Sequence, residues 1–297
     1  MNLFVLNEEK RLITVNGDPA EIFEEKPLAM LGAVKLSAET GFDFHKGIYK
    51  AILEKTNLLE EEEIDHIRGI FEEILVADYA GKGLKMLDGT GLLSHLIGDH
   101  YDRMTTKEAN AYETLVENID RTRKVLSRRL GLFYLCFEGN AAADAVDMLN
   151  YDVRTRQLLR NAIMLINHLD YQTNAFEIKQ FIKQYGFEIY EYVQSLSKTR
   201  SVVYGSDTKK IRERDAIMEG ILRRGDPIFV ADMKITKEDL IKHGLAEPEK
   251  ADEMLLMILD AVHKDPSKNS TKALLKQAED YKLNPFAAKF RRIQWTK

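Results

Sequence analysis

The sequence predicts an all-α protein, a multi-helix array with one candidate short β-hairpin at its N-terminal end. Three observations predict it. Apolar residues recur at i, i+3, i+4 and i+7 through most of the 297 residues, the spacing that gathers them on one helix face. Strand-like runs are confined to Phe4-Val5-Leu6, Leu12-Ile13-Thr14-Val15 and Ser201-Val202-Val203-Tyr204. Composition is that of a globular chain, 44% hydrophobic and 31% charged, and its 6 Pro and 17 Gly exclude collagen-like and Pro-rich linker classes.

The elements follow in order. The first two strand candidates flank Asn7-Glu8-Glu9-Lys10-Arg11, the polar spacer of a hairpin. Pro27 suits a first helical turn, with Glu24 and Glu25 near its positive dipole end. Apolar stripes then mark helices: Phe44, Ile48, Ala51 and Ile52; Ile64, Ile67, Phe71 and Ile74; Tyr112, Leu115, Ile119 and Leu126. Further stripes run through Leu158, Leu159, Ala162, Ile163 and Ile166; Ile211, Met218, Ile221 and Leu222; and Leu255, Ile258, Leu259 and Val262. Thr236-Lys237-Glu238-Asp239 reads as a capping box with Asp in the usual Glu or Gln place. Gly186 and Gly244 sit where helix ends need a positive φ. Loops are expected at Gly81–Gly83, Gly89–Gly91, Gly98–Thr106, Gly139–Ala141, Gly205–Asp207 and Gly225–Pro227.

Several function classes fall away. A single cysteine, Cys136, excludes a disulfide framework and multi-cysteine zinc sites, and its neighbours Phe133 to Phe137 read as a buried structural thiol. No apolar run reaches the ~20 residues of a membrane span. The opening Met1 to Leu6 lacks the basic region and apolar core of a signal peptide, so a cytoplasmic location is expected. The net charge of −5 hides an asymmetry: residues 1–75 hold 8 basic and 16 acidic side chains, residues 261–297 hold 9 and 3. A basic end can meet a polyanion that the whole-chain charge would repel.

Several local clusters hold residue types capable of chemistry. His95, Asp99 and His100 have ligand-like spacing, but Gly98 interrupts any helix and a polar turn accounts for them. Glu60 to Glu63 read as the solvated start of the next helix, and Gly81-Lys82-Gly83 lacks the spacing of a phosphate loop. Trp295 could stack on a base or pack on its own body. Basic clusters are the strongest signal. Arg121, Arg123, Lys124, Arg128 and Arg129 fall within one predicted helix; Lys198, Arg200, Lys209, Lys210, Arg212, Arg214, Arg223 and Arg224 surround the Gly205 loop. Lys268, Lys272, Lys276, Lys282, Lys289, Arg291 and Arg292 lie at the end, with Lys272 and Lys276 sharing a face at i, i+4. Such rows can follow an RNA backbone, and an ordinary charged helix surface is the alternative.

From Arg11 the chain runs RLITVNGDPAEIFEEKPLAMLGAVKLSAETGFDF. This resembles the junction segment of tRNA nucleotidyltransferases (CCA-adding enzymes) and bacterial poly(A) polymerases. The matching residues are Arg11, Val15, Gly17, Asp18, Pro19, Phe23, Glu25, Pro27, Leu28, Leu31, Ala33, Gly41 and Phe42, with Asn16 as one extra residue. Downstream, Leu87 to Leu93, Ile235 to Leu245 and Asn269 to Leu275 resemble the family's later segments, in order, over approximately residues 11–280. The resemblance implies an elongated helical neck, body and tail.

The departures shape the expected function. The family's catalytic head carries a Gly-Ser pair and an Asp-x-Asp pair for two metal ions, and only ten residues precede Arg11 here, with no such pair in the chain. The family's Glu-Asp-x-x-Arg base template aligns with Glu25, Lys26 and Ala29, so its acceptor and donor are both lost, and the next family Arg is Gly32. The later Glu-Arg pair is Asp65-His66. Where some relatives place a metal-binding His-Asp doublet, Leu130 to Glu138 puts Phe137 in the His position.

The expected organisation is a junction with a hairpin over 1–26, a neck-like helical domain over 27–125, a body-like domain over 126–232 and a basic tail-like segment over 233–297. The expected function is noncatalytic binding of RNA, of tRNA-like form, with no DNA, no membrane, no catalytic residues, no metal and no resident cofactor. Two alternatives stand beside it. One is half of a split nucleotidyltransferase, completed with Mg²⁺ by a separate head docking on the hairpin and the Leu28–Leu36 helix. The other is a protein-interaction scaffold.

Overall fold

The computed structural model describes residues 3–283. Two strands open the chain, β1 (Phe4–Asn7) and β2 (Leu12–Val15), followed by α1 (Pro19–Glu25), α2 (Leu28–Thr40) and the two-residue β3 (Asp43–Phe44). Then come α3 (Lys46–Lys55), α4 (Ile64–Val76), α5 (Ala80–Gly89), α6 (Ser94–Ile97), α7 (Thr106–Asn118), α8 (Leu126–Tyr134) and α9 (Gly139–Met148). The remainder is α10 (Val153–Leu169), α11 (Ala175–Tyr185), α12 (Phe187–Tyr204), α13 (Lys209–Arg224), α14 (Lys237–Lys242), α15 (Ala251–Lys264) and α16 (Thr271–Leu283). The fold is all-α apart from the small N-terminal sheet.

The hairpin forms as its pattern predicts, antiparallel with Phe4 opposite Val15 and Asn7 opposite Leu12. Asn7 accepts the Lys10 N–H at its side-chain oxygen, and Arg11 closes the turn at φ 48°. The sheet gains a third strand that the sequence did not announce: β3 lies parallel to β2, and the N–H groups of Asp43 within it and of His45 just after it donate to the Arg11 and Ile13 carbonyls. Two residues are too few to show an alternation. Asp18 caps α1 and Pro19 occupies its first turn; Pro27 stands at the start of a helix as expected, at the N-cap of α2, whereas Glu24 and Glu25 close α1.

The described residues form two compact units, one made of the chain up to Asn167 with Tyr192–Thr208, the other of His168–Glu191 with Lys209 to Leu283. In the first, α2 packs on α4 and α5, and α4 on α8. Phe133 anchors this core, meeting Phe71 at 4.8 Å, Tyr134 at 5.2 Å and Phe137 at 5.4 Å between ring centroids. In the second, Ile235, Leu240, Leu255, Ile258, Leu259 and Leu274 close a separate core around α15. The Thr236–Asp239 capping box forms, and Gly186 and Gly244 take φ of 91° and 64°.

Three sequence expectations are corrected. Ser201 to Tyr204 is the last turn of α12, where Val203 is buried like Tyr190, Val193 and Leu196 before it; burial along one helix overrides the β-propensity of Val-Val. Gly139–Ala141 is the first turn of α9. Gly81–Gly83 is a helix interior within α5, and its glycines serve close approach: a Cβ on Gly83 would lie 2.8 Å from the Ala38 Cβ of α2. The chain loops at Gly205–Asp207 and Gly225–Pro227 as expected.

Candidate nucleic-acid interface

The first basic cluster divides. Arg121 ends a short 3₁₀ turn, Ile119–Arg121, and α8 begins only at Leu126, so the five residues do not share one helix. Arg121 donates to Asn118 at 2.9 Å, and Lys124 pairs with Asp78. Arg123 is exposed and Arg128 half-buried, and neither has an ion-pair partner among the described residues.

Arg129 is a correction. It is fully buried, donating to the Leu75, Ala77, Ile119 and Thr122 carbonyls and to the Thr122 hydroxyl. Burial holds its guanidinium below the usual arginine value, partly opposed by Asp120. It ties the end of α4 to the 119–122 turn and presents nothing to a phosphate.

On α13, Lys209, Lys210 and Arg212 are exposed, and Lys210 and Arg212 have no ion-pair partner among the described residues. Arg214 is the second correction: it is buried, with Nη2 3.1 Å from Asp170. Arg223 pairs with Glu219 at 2.7 Å and Arg224 with Asp226 at 2.8 Å, so phosphate must displace a carboxylate at both. Lys272 and Lys276 stand exposed on one face of α16, also without an ion-pair partner among the described residues. Lys289, Arg291, Arg292 and Trp295 lie outside the described residues.

The residues that align with the family's base template fall at a helix junction. Glu25 ends α1, Lys26 is its exposed C-cap, and Ala29 is half-buried in the first turn of α2. The Ala29 methyl offers no hydrogen bond to a base.

His95, Asp99 and His100 do not converge on one point. Burial holds His95 below its usual value, whereas His100 is 3.0 Å from Glu108. Glu108 is a residue that sequence reading missed. Its carboxylate accepts from the Thr105 N–H and hydroxyl, the Glu138 N–H and His100, all within 3.0 Å. Burial pushes its pKa up, but these donors overcome burial and hold it at about 2. The signal was present as Thr105-x-x-Glu108, a capping box that forms at the start of α7. Beside it a cleft of about 600 Å³ opens between the Gly98–Arg103 turn and α9, lined in part by Asp99, His100, Arg103 and Asp144. Among the described residues no three His, Cys, Asp or Glu side chains are placed to hold a metal ion.

The chain is thus a helical array led by a small sheet, with exposed lysines and arginines on α13 and α16. The particular likeness is to CCA-adding enzymes, in sequence and in fold. The enzyme of Leuconostoc mesenteroides subsp. mesenteroides is 22% identical over 244 residues, covering 81% of this chain and 55% of that protein. Those of Anoxybacillus flavithermus and Bacillus cereus are 31% and 36% identical over 88 residues, 22% of each relative's length. The crystal structure of the Bacillus stearothermophilus CCA-adding enzyme in complex with CTP superposes with a TM-score of 0.70 at 16% identity, over 92% of this chain and 66% of that one. A second CCA-adding enzyme complex with CTP gives 0.57 at 15% identity, over 90% of this chain and 62% of that one. The chain thus spans about half, or less, of the length of these curated relatives. No family model matches it.

Proposed function

We propose that this chain binds tRNA-like RNA without itself transferring nucleotides, using the helical frame it shares with CCA-adding enzymes. The observation that carries this reading is the combination of that frame, over 92% of the chain, with Lys26 and Ala29 at the template positions. The frame is kept while the side chains that would select a base are replaced. Exposed Lys210, Arg212, Lys272 and Lys276 supply phosphate contacts, and recognition rests on shape and backbone more than on base edges. The ligand is RNA and not DNA, the protein works in the cytoplasm, and no resident cofactor is involved. Among the described residues no helix is long and apolar enough to cross a membrane.

One observation favours a second reading, the RNA-binding half of a split nucleotidyltransferase. β1 is an edge strand, and Val5 and Leu6 on it are exposed at 40% and 36%, which suits pairing with a separate head that would bring Mg²⁺. Two measurements decide. Titration of tRNA at low ionic strength should give saturable, salt-sensitive binding; none would remove both readings. Incubation with tRNA, Mg²⁺ and labelled CTP or ATP should give no incorporation by the pure chain. Incorporation would overturn the noncatalytic assignment.

A further inference from the structure

Tyr171, in the turn after α10, exposes 75% of its surface. The other exposed tyrosines are held: Tyr49 donates to the Gly89 carbonyl, and the Tyr79 ring packs over Gly41. Around Tyr171 the aromatic groups engage one another, with His168 edge-on to Phe181 at 5.7 Å and to Tyr185 at 6.0 Å, and leave its ring out.

The turn that presents this ring is fixed. The Tyr171 and Gln172 N–H groups donate to the His168 and Leu169 carbonyls at 3.1 and 3.0 Å. Thr173 donates to Glu177, whose own N–H is capped by Asn174. Asp170 receives Arg214 at 3.1 Å, which joins the turn to α13. Lys210 is one helical turn before Arg214, hence on the same side of α13 as that bridge, and it is exposed. A rigid turn therefore holds an aromatic face in water beside a helix that carries an available cation. An unpaired nucleobase needs both parts: a ring to stack on and a donor for the adjoining phosphate.

We propose that Tyr171 is a stacking platform for one unpaired base of an RNA ligand, with Lys210 taking the neighbouring phosphate. This rests on the RNA-binding reading above and adds to it a site for a single-stranded nucleotide. Stacking is sequence-tolerant, because every base has a π-face, and it excludes a base already stacked within a duplex.

The test uses the full chain, with tRNA, a single-stranded oligoadenylate and a blunt RNA duplex as probes. Tyr171→Ala should weaken tRNA and oligoadenylate binding by about tenfold, leave duplex binding unchanged and leave the salt slope unchanged, because stacking releases no counterions. Tyr171→Phe should bind as the unsubstituted protein does. Lys210→Ala should reduce the salt slope by about one. Unaltered affinity in Tyr171→Ala, with tRNA still bound, overturns the site and spares the RNA reading. An equal loss in Tyr171→Phe, or an equal loss on the duplex, also overturns it, since either points to something other than ring stacking. Absence of tRNA binding by the unsubstituted chain removes site and reading together.

Discussion

The Arg129 guanidinium donates from Nη1 to the Leu75 carbonyl at 2.7 Å, reaching across 54 residues of sequence to the last turn of α4. Nη2 meets the Ile119 and Thr122 carbonyls at 3.2 and 2.9 Å. The planar fork thus satisfies carbonyls from two elements that would otherwise be buried unpaired. Arg129→Met keeps the apolar stem and removes every donor, and should destabilise the protein by roughly 3 kcal/mol. Arg129→Lys should recover only part of this, because an ammonium cannot span the same acceptors. Thermal unfolding checks both. A substitution without effect would show that the carbonyls are served by water.

Acid should weaken the fold in two steps. The first belongs to His263, buried beside α11. Its Nδ1 accepts from the Gln180 amide at 2.9 Å, so Nε2 carries the proton given to the Ile228 carbonyl at 2.9 Å. Burial, chiefly, holds it down at about 4 against an ordinary 6.5, with Lys179 and Lys183 adding to the shift. The unfolded chain takes up a proton first, so this contribution is whole above about 6.5 and is lost as pH falls towards 4. His263→Gln should flatten the stability profile in that window.

The second step belongs to Glu108. Its folded value of about 2 lies below the ordinary 4.5, so its contribution is complete above 4.5 and disappears as pH falls towards 2. The loss is on the order of 3 kcal/mol. Glu108→Gln should lower stability at neutral pH and abolish the dependence below 4.5. Urea melts at a series of pH values would read both steps, and a single step common to both variants would contradict the separation.

Gly83 tests the reading of α5 as a closely packed helix. A Cβ there would stand 2.6 Å from Ile74 Cγ2 and 2.8 Å from Ala38 Cβ. Gly83→Ala gains helix propensity, by up to about 1 kcal/mol, but forces α2 and α4 aside. The net effect should be a loss of about 1–2 kcal/mol. Gly69→Ala, which meets nothing within 4 Å on α4, should be stabilising instead. The pair of Tm shifts, opposite in sign, is the measurement.

These residues also show what the sequence disclosed. The hairpin was legible because its two runs alternate around a polar spacer, and the later helices because their stripes span several turns. Glycine at 81 and 83 looks like a break in the sequence, because without a partner surface in view a breaker and a packing contact are alike. Charge favours water and so puts Arg129 and Arg214 on the surface in any reading of sequence alone, yet each is buried with its own acceptors. The pattern shows charge but not which carbonyls lie across the fold. Lys210, Arg212, Lys272 and Lys276 are where a surface reading put them. Tyr171 carried no signal, since a single exposed ring is invisible to periodicity.

That division among the basic residues gives the last prediction. A lysine that neutralises a phosphate releases a counterion, so its removal lowers the slope of log K against log salt as well as the affinity. Lys272 and Lys276 are exposed at i, i+4 on α16 and lack ion-pair partners among the described residues. Replacing both with Ala should reduce the slope for tRNA by up to about two, with Tm unchanged. Arg223 and Arg224 engage Glu219 and Asp226, so their loss should alter the slope less. Arg214→Met should act the other way round, lowering Tm with the slope intact in the fraction that remains folded. Filter binding across a salt series, paired with thermal melts of the same variants, separates the groups. Equal slopes in all variants would place the RNA contacts elsewhere on the chain.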